Sequence, residues 1–215
     1  MKKSKIVSLI AAGALTLAMG AFALTGCAKG VDYTFEAEDA VAVGTGNVNG
    51  QGQGDPTISA DSAYKLNGEL VENATLVGIE NFNTVGQTIT WTVVSASDCK
   101  ATITLYAASA AMYMGESGMG LKEIDFGTTE AYKVTCNDTA ASMTGKLPGV
   151  VWADWNGMKE PGAWWNIGTV SGTINLKKGE NVIILEVVGA VDGAMSAGLN
   201  VDKIVINSSA ELTKK

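Results

Sequence analysis

Two acidic stretches decide how this chain is interpreted: Tyr33-Thr34-Phe35-Glu36-Ala37-Glu38-Asp39-Ala40 near its start and Leu199-Asn200-Val201-Asp202-Lys203-Ile204-Val205-Ile206 near its end. Side chains alternate between the two faces of a strand, so a strand over the first stretch would direct Glu36 and Glu38 to the same side. The first stretch therefore predicts a pair of carboxylates on one face of an early strand.

The second stretch adds a third acid to this pair. Asp202 is in phase with Ile204 and Ile206, which puts it in an apolar row where an unpaired charge costs several kcal/mol. If the first and last strands are neighbours, Glu36, Glu38 and Asp202 converge into an all-oxygen cluster of the kind that Ca²⁺ occupies. The alternative is three solvated acids at strand ends, because short acidic patterns often occur without a metal.

The N-terminus has the pattern of an export signal. Lys2, Lys3 and Lys5 precede an apolar run over residues 6–24. The next residues, Leu24-Thr25-Gly26-Cys27, resemble the lipobox of bacterial lipoproteins. We expect residues 1–26 to be a signal peptide, Cys27 to carry lipid and residues 27–32 to be a short linker. The lipid on Cys27 would attach the protein to the outer side of the cell membrane. A soluble secreted protein and an uncleaved anchor are the alternatives.

Composition narrows the possible partners. The formal net charge is −7, and there is neither arginine nor histidine. Nucleic-acid binding needs clustered cations, so this class is excluded. Neutral polymers and metal ions are compatible partners for a chain with this negative net charge. An exported protein can form disulfides, so Cys99 and Cys136 are expected either to pair or to be two buried thiols.

Short strands dominate the rest of the chain. Residues 88–93 and 102–106 alternate strictly, and further candidates are 63–66, 122–126, 132–135, 172–176, 181–188 and 201–206. No segment after the signal is a convincing long amphipathic helix. The pattern predicts an all-β, antiparallel β-sandwich or jelly roll over residues 33–207, followed by a tail over 208–215.

Aromatic side chains are concentrated in the loops. The loop over 150–167 carries four of the five tryptophans, and the loop over 110–120 carries Tyr113. Aromatic faces in loops suit the apolar faces of sugar rings. The alternative is that some rings close one end of the sandwich, so we expect at least one to be buried and at least one to be exposed. Trp91, on a regular strand, is expected in the core.

Together these residues resemble a known family. The motifs at 35–39, 164–185 and 199–204 resemble those of carbohydrate-binding modules of families 6 and 35, in the same order, over about residues 33–207. One position departs from the family: Gly78-Ile79 stands where many such modules have a second aromatic residue.

The resemblance implies a galactose-binding-like β-sandwich with a structural Ca²⁺ and a sugar site in the loops at one end. The metal ligands map to Glu36, Glu38 and Asp202. The ligand-binding residues map to Trp164 or Trp165 and to Asn200. Tyr113, Trp155 or Trp152 could supply the missing second ring.

The predicted function is a non-catalytic, lipid-anchored protein that holds a polysaccharide or oligosaccharide at the cell surface, as a monomer. Two alternatives belong to other classes. One is a scaffold or adhesin domain that uses the same aromatic loops to bind a protein. The other is a small glycosidase with paired carboxylates, although no histidine is available as a base.

Overall fold

The computed structural model describes residues 30–44, 55–115 and 118–215. The predicted signal peptide, Cys27 and residues 45–54 of the Gly-rich loop lie outside the described residues. No helix within the described ranges is long and apolar enough to cross a membrane.

These ranges contain strands joined by turns and two short 3-10 helices, Ala37–Asp39 and Gly157–Lys159. The strands are β1 (Val31–Glu36), β2 (Val41–Val43), β3 (Thr57–Leu66), β4 (Glu69–Phe82), β5 (Thr88–Ser95), β6 (Cys99–Ser109), β7 (Met112–Gly115), β8 (Gly118–Leu121), β9 (Ile124–Asp125), β10 (Tyr132–Cys136), β11 (Thr139–Ala140), β12 (Thr144–Leu147), β13 (Val150–Trp152), β14 (Asn166–Leu176), β15 (Gly179–Val187), β16 (Leu199–Ser208) and β17 (Leu212–Lys214).

The strands form two large sheets and one small one. Sheet A contains β1, β16, β6, β14, β12 and β9, with β3 and β4 attached at its edges. Sheet B contains β11, β10, β15, β5, β17 and β2, and a three-stranded sheet joins β7, β8 and β13. Pairing is antiparallel except for a two-residue contact between β14 and β3. The prediction of an all-β, antiparallel sandwich is confirmed.

The core lies between sheets A and B because each contributes one apolar face. Burial alternates strictly along β5, as predicted for residues 88–93. Ile103 and Leu105 of sheet A belong to the same buried cluster as Ile183 and Leu185 of sheet B. Trp91 is also in this cluster, 4% exposed, as predicted, and its Nε1 donates a hydrogen bond to the carbonyl oxygen of Glu36.

β1 and β16 are neighbours, which is the condition under which the sequence brings Glu36, Glu38 and Asp202 together. β1 pairs with β16 from Val31 opposite Ser208 to Glu36 opposite Lys203. The sandwich is longer than predicted at both ends, because β1 begins at Val31 within the expected linker and β17 occupies part of the expected tail. β17 pairs with β5, so residues 212–214 complete sheet B.

A long hairpin crosses the outer face of sheet A. The end of β4 pairs with one edge of β16, whereas the end of β3 pairs with β14 at the edge that faces away from β6. The hairpin therefore arches over β6, and we call it the arch (β3 and β4). Beneath it lies a second buried cluster of Leu76, Ala108, Trp165 and Ile167.

Cys99 and Cys136 are free thiols. The Cys99 Sγ lies 3.3 Å from the Ser208 Oγ, and the Cys136 Sγ donates to the carbonyl oxygen of Asn175 at 3.6 Å. Both line one cavity of about 470 Å³. Of the two alternatives from the sequence, the structure has unpaired thiols.

Candidate functional site

One open pocket brings together two of the predicted ligand-binding residues. It has a volume of about 430 Å³ and lies where β16 begins, close to Trp164 and Asn200. We call it the loop pocket, and its lining comprises Glu80, Asn81, Phe82, Asn83, Ala110, Met112, Trp164, Met195, Ser196, Gly198, Leu199 and Asn200. Its size and its mixture of apolar and polar groups are those of small-molecule sites.

Asn200 fixes the tryptophan side of this pocket. Its side chain is 3% exposed, and its Nδ2 donates a hydrogen bond of 2.9 Å to the carbonyl oxygen of Trp164. The Trp164 Nε1 donates to the Met158 carbonyl oxygen at 3.2 Å. The ring of Trp152 packs against that of Trp164, with 5.3 Å between centroids and 55° between planes. Trp164 is therefore a half-buried ring held in a defined orientation.

Trp165 has a different environment from the one expected of a binding ring. It is 1% exposed and packs under the arch. A Cβ added at Gly78 would lie 2.8 Å from Cη2 of this ring, so the indole fills the space in front of Gly78. Because the indole occupies this space, an aromatic side chain at residue 78 would not fit. Because the indole is buried there, a ligand cannot reach Trp165.

Tyr113 and Trp155 do not line the loop pocket. Tyr113 lies opposite Gly120 in the three-stranded sheet, and the Lys122 Nζ lies 5.0 Å from the centroid of its ring, an arrangement typical of a cation–π contact. Trp155 is 55% exposed in the turn after β13. As expected, the tryptophan-rich loop contains both buried rings (Trp152 and Trp165) and an exposed one.

The residues at the end of β4 were not predicted as part of the site. Ile79 pairs with Val201 and Phe82 with Leu199, so two residues of β4, Glu80 and Asn81, oppose the single residue Asn200. This is a β-bulge, a feature that often redirects side chains beside binding sites. Asn81 has φ of 59°, a value that asparagine tolerates better than most residues. No hydrophobic pattern in the sequence signals such a bulge.

The predicted carboxylates line a second pocket, of about 370 Å³, at the side of the arch. Glu36 ends β1, whereas Glu38 lies in the following 3-10 turn rather than in the strand. A register shift occurs at Asp202 between the pairs Val201–Ala107 and Lys203–Tyr106. Asp202 is therefore a bulge residue, and it lines this pocket together with the two glutamates.

Lys203 supplies the nearest positive charge. Its Nζ lies 3.3 Å from Asp202 Oδ2 and 3.9 Å from Glu36 Oε2. Burial raises the pKa of the Asp202 carboxyl, and the Lys203 ammonium opposes this shift. Burial likewise raises the pKa of Glu36, against Lys203 and with a contribution from the neighbouring carboxylates. One ammonium thus compensates only part of the charge of three acids.

The donor chemistry of this pocket fits a hard cation, but the side chains are not gathered into a finished metal site. Glu38 Oε2 is buried without a hydrogen-bond partner, so none of the described residues provides a donor for this oxygen. However, within the described ranges no three His, Cys, Asp or Glu side chains converge closely enough to hold a metal ion. Binding Ca²⁺ here would require the three acids to draw together and Lys203 to move aside, so the Ca²⁺ site stays a prediction.

Comparison with known proteins gives similarities of fold. No protein-family model and no curated protein matches the chain. A family 35 carbohydrate-binding module from Clostridium thermocellum is similar at 18% identity and a TM-score of 0.45, over 83% of this chain and 99% of that one. The C-terminal family 6 module of a laminarinase from Zobellia galactanivorans is similar at 18% identity and a TM-score of 0.43, over 83% and 100% of the two chains.

A family 35 module from Cellvibrio japonicus is also similar, at 14% identity and a TM-score of 0.37, over 81% of this chain and 96% of that one. These are the two module families that the sequence motifs resemble.

Proposed function

We propose that this protein is a non-catalytic carbohydrate-binding domain whose ligand occupies the loop pocket. The observation that carries the proposal is the convergence of Trp164 and Asn200 on one open pocket. An oriented indole offers an apolar surface to the C–H face of a sugar ring. The amide and hydroxyl groups around it offer hydrogen bonds to sugar hydroxyls, each contributing about 0.5–1.5 kcal/mol.

The test is isothermal titration of the folded protein against a panel of plant and cell-wall oligosaccharides. Trp164→Ala should abolish binding, because it removes the ring that lines the pocket. Trp155→Ala is the matched control, since it removes an exposed ring of the same loop that does not line the pocket. Thermal melts of both variants establish that they are folded. If no saccharide binds the wild type at millimolar concentration, the proposal fails and the protein-binding scaffold becomes the better hypothesis.

Ca²⁺ would support this function from the second pocket, as a structural ion held by Glu36, Glu38 and Asp202. The unpartnered Glu38 oxygen and the excess of acids over Lys203 favour it. Saturating Ca²⁺ should then raise stability by about 2.7 kcal/mol at 100 times its dissociation constant, and Asp202→Ala should lose this gain. Identical melting curves with Ca²⁺ and with chelator, and no bound metal by elemental analysis, would remove the ion from the proposal.

The proposed location is the outer side of a bacterial cell membrane, with Cys27 as the lipid-bearing residue. The lipobox-like sequence before this cysteine supports it, and lipid chains anchor a protein through the burial of their methylene groups. Cys27→Ala should release the protein from the membrane fraction. A variant that stays membrane-bound with residues 1–26 uncleaved would contradict the assignment.

A further inference from the structure

The lining of the loop pocket has an unbalanced charge. Among the described residues that line it, Glu80 is the one ionisable residue, and the other polar side chains are neutral: Asn81, Asn83, Ser196 and Asn200. No lysine is found in this described part of the lining, and none of the ion pairs between described residues involves Glu80. As far as the structure describes the chain, the pocket therefore offers a carboxylate to its ligand and no compensating cation.

The backbone holds Glu80 at this position. Ile79 and Phe82 on either side are 1% and 0% exposed and belong to the main core, so the short segment between them cannot slide along the sheet. The bulge puts Glu80 and Asn81 opposite Asn200, and Asn81 Nδ2 donates a hydrogen bond to Thr57 Oγ1 at 3.2 Å. Glu80 is half-buried, so water screens its charge less than that of a fully exposed carboxylate.

The two asparagine side chains beside Glu80 already donate hydrogen bonds within the protein, whereas the Glu80 carboxylate can accept one from a ligand. Asn200 already donates to Trp164, and Asn81 donates to Thr57. A carboxylate is an acceptor only, and its strongest partner is a positively charged donor. A ligand that brings an ammonium group to this edge of the pocket would therefore gain a charge-assisted hydrogen bond that a neutral ligand lacks.

We propose that Glu80 is a specificity-determining residue, which makes the loop pocket favour saccharides that bear a protonated amine and disfavour saccharides that bear a carboxylate or sulfate. The inference rests on the proposed function, since it names the ligand class of the same pocket. The net charge of the chain, −7, acts in the same direction, because it attracts cationic polymers and repels anionic ones.

The probes are glucosamine oligomers, N-acetylglucosamine oligomers of equal length and galacturonate oligomers. They compare a charged amine with a neutral amide on one sugar backbone and add an anionic polymer. Wild-type protein should bind the amine form about three- to tenfold more tightly than the acetylated form, a range set by a charged hydrogen bond that is partly exposed to water. The preference should weaken as salt is added, and galacturonate should bind least.

Two variants separate the local effect from the overall charge. Glu80→Gln keeps the shape of the side chain and should equalise the affinities of the amine and acetylated forms. Glu186→Gln removes the same charge from a half-buried position in sheet B and should leave the preference intact.

The outcomes distinguish this inference from the proposed function. If the acetylated oligomers or other neutral saccharides bind but Glu80→Gln leaves the amine-to-acetyl ratio unchanged, the inference is overturned and the proposed function stands. Wild-type binding of galacturonate as tightly as of glucosamine also overturns it. If no saccharide of any charge binds, both fail together.

Discussion

Gly78 and Trp165 form a close contact that can be tested by substitution. A Cβ at residue 78 would lie 2.6 Å from the carbonyl oxygen of Val201 and 2.8 Å from Cη2 of Trp165. Both distances are well below van der Waals contact, and neither atom is at the end of a flexible side chain. Gly78→Ala should therefore destabilise the sandwich by about 1–3 kcal/mol, the usual cost of overpacking. For a domain of this size that corresponds to a fall in melting temperature of roughly 2–12 °C.

A double-mutant cycle identifies the origin of the loss. Trp165→Ala alone should cost about 3–5 kcal/mol, because the ring is 1% exposed. If the added methyl group collides with the indole, the double variant should be more stable than the sum of the two losses predicts, with a coupling of about 0.5–3 kcal/mol. Denaturant titration of the four proteins measures this coupling.

The control is a glycine with open surroundings. A Cβ at Gly115 would meet no atom of the described residues closer than 4.0 Å, so Gly115→Ala should change stability by less than about 0.5 kcal/mol. The reasoning is refuted if Gly78→Ala is as stable as Gly115→Ala. Losses at Gly78 and Trp165 that add without coupling would assign the cost to the Val201 carbonyl oxygen and not to the indole.

Two further predictions concern the cysteines and Asp202. Cys136 is 2% exposed and burial raises its pKa, so in the native protein it should react with a thiol reagent more slowly than Cys99. After unfolding, both thiols should react at the same rate. Peptide mapping by mass spectrometry measures the two rates, and equal rates in the native protein would contradict the prediction. Burial raises the pKa of Asp202 above its ordinary value of 3.8, so its protonated form favours folding, and the benefit is lost as pH rises through the folded-state pKa. In the presence of chelator, the stability of Asp202→Asn relative to wild type should therefore increase as the pH rises through this pKa. If the difference between the denaturation midpoints of the two proteins does not change with pH, the burial argument is wrong.

The sequence predicted most of the sandwich because one face of each central strand is buried. β5 and β6 alternate in hydrophobicity along their lengths, and this alternation is the local consequence of a core on one side. β4 was missed. Leu76 packs in the second cluster on the outer face of sheet A, whereas Ile79 and Phe82 pack in the main core, so the apolar residues of β4 do not follow the alternation that would have signalled a strand.

The candidate site could be predicted only in part. The density of tryptophans marked the loop that carries Trp164, the motif near residue 200 marked the strand that carries Asn200, and both residues line the loop pocket. Which of two adjacent tryptophans reaches the surface depends on the arch passing over one of them, a long-range contact that has no local signature. Glu80 escaped notice for a related reason, since the bulge that brings it beside Asn200 is set by pairing between strands more than a hundred residues apart.

The pairing of β1 with β16 sets the orientation in which the loop pocket is displayed. The chain enters the sandwich at Val31, opposite Ser208, whereas Asn200 and the pocket lie at the other end of β16. Eight residues of antiparallel strand separate these two points by about 27 Å. A protein tethered through the segment before Val31 would thus carry its pocket on the far tip, away from the surface that holds it. A long polymer could lie across that tip without meeting the support beneath.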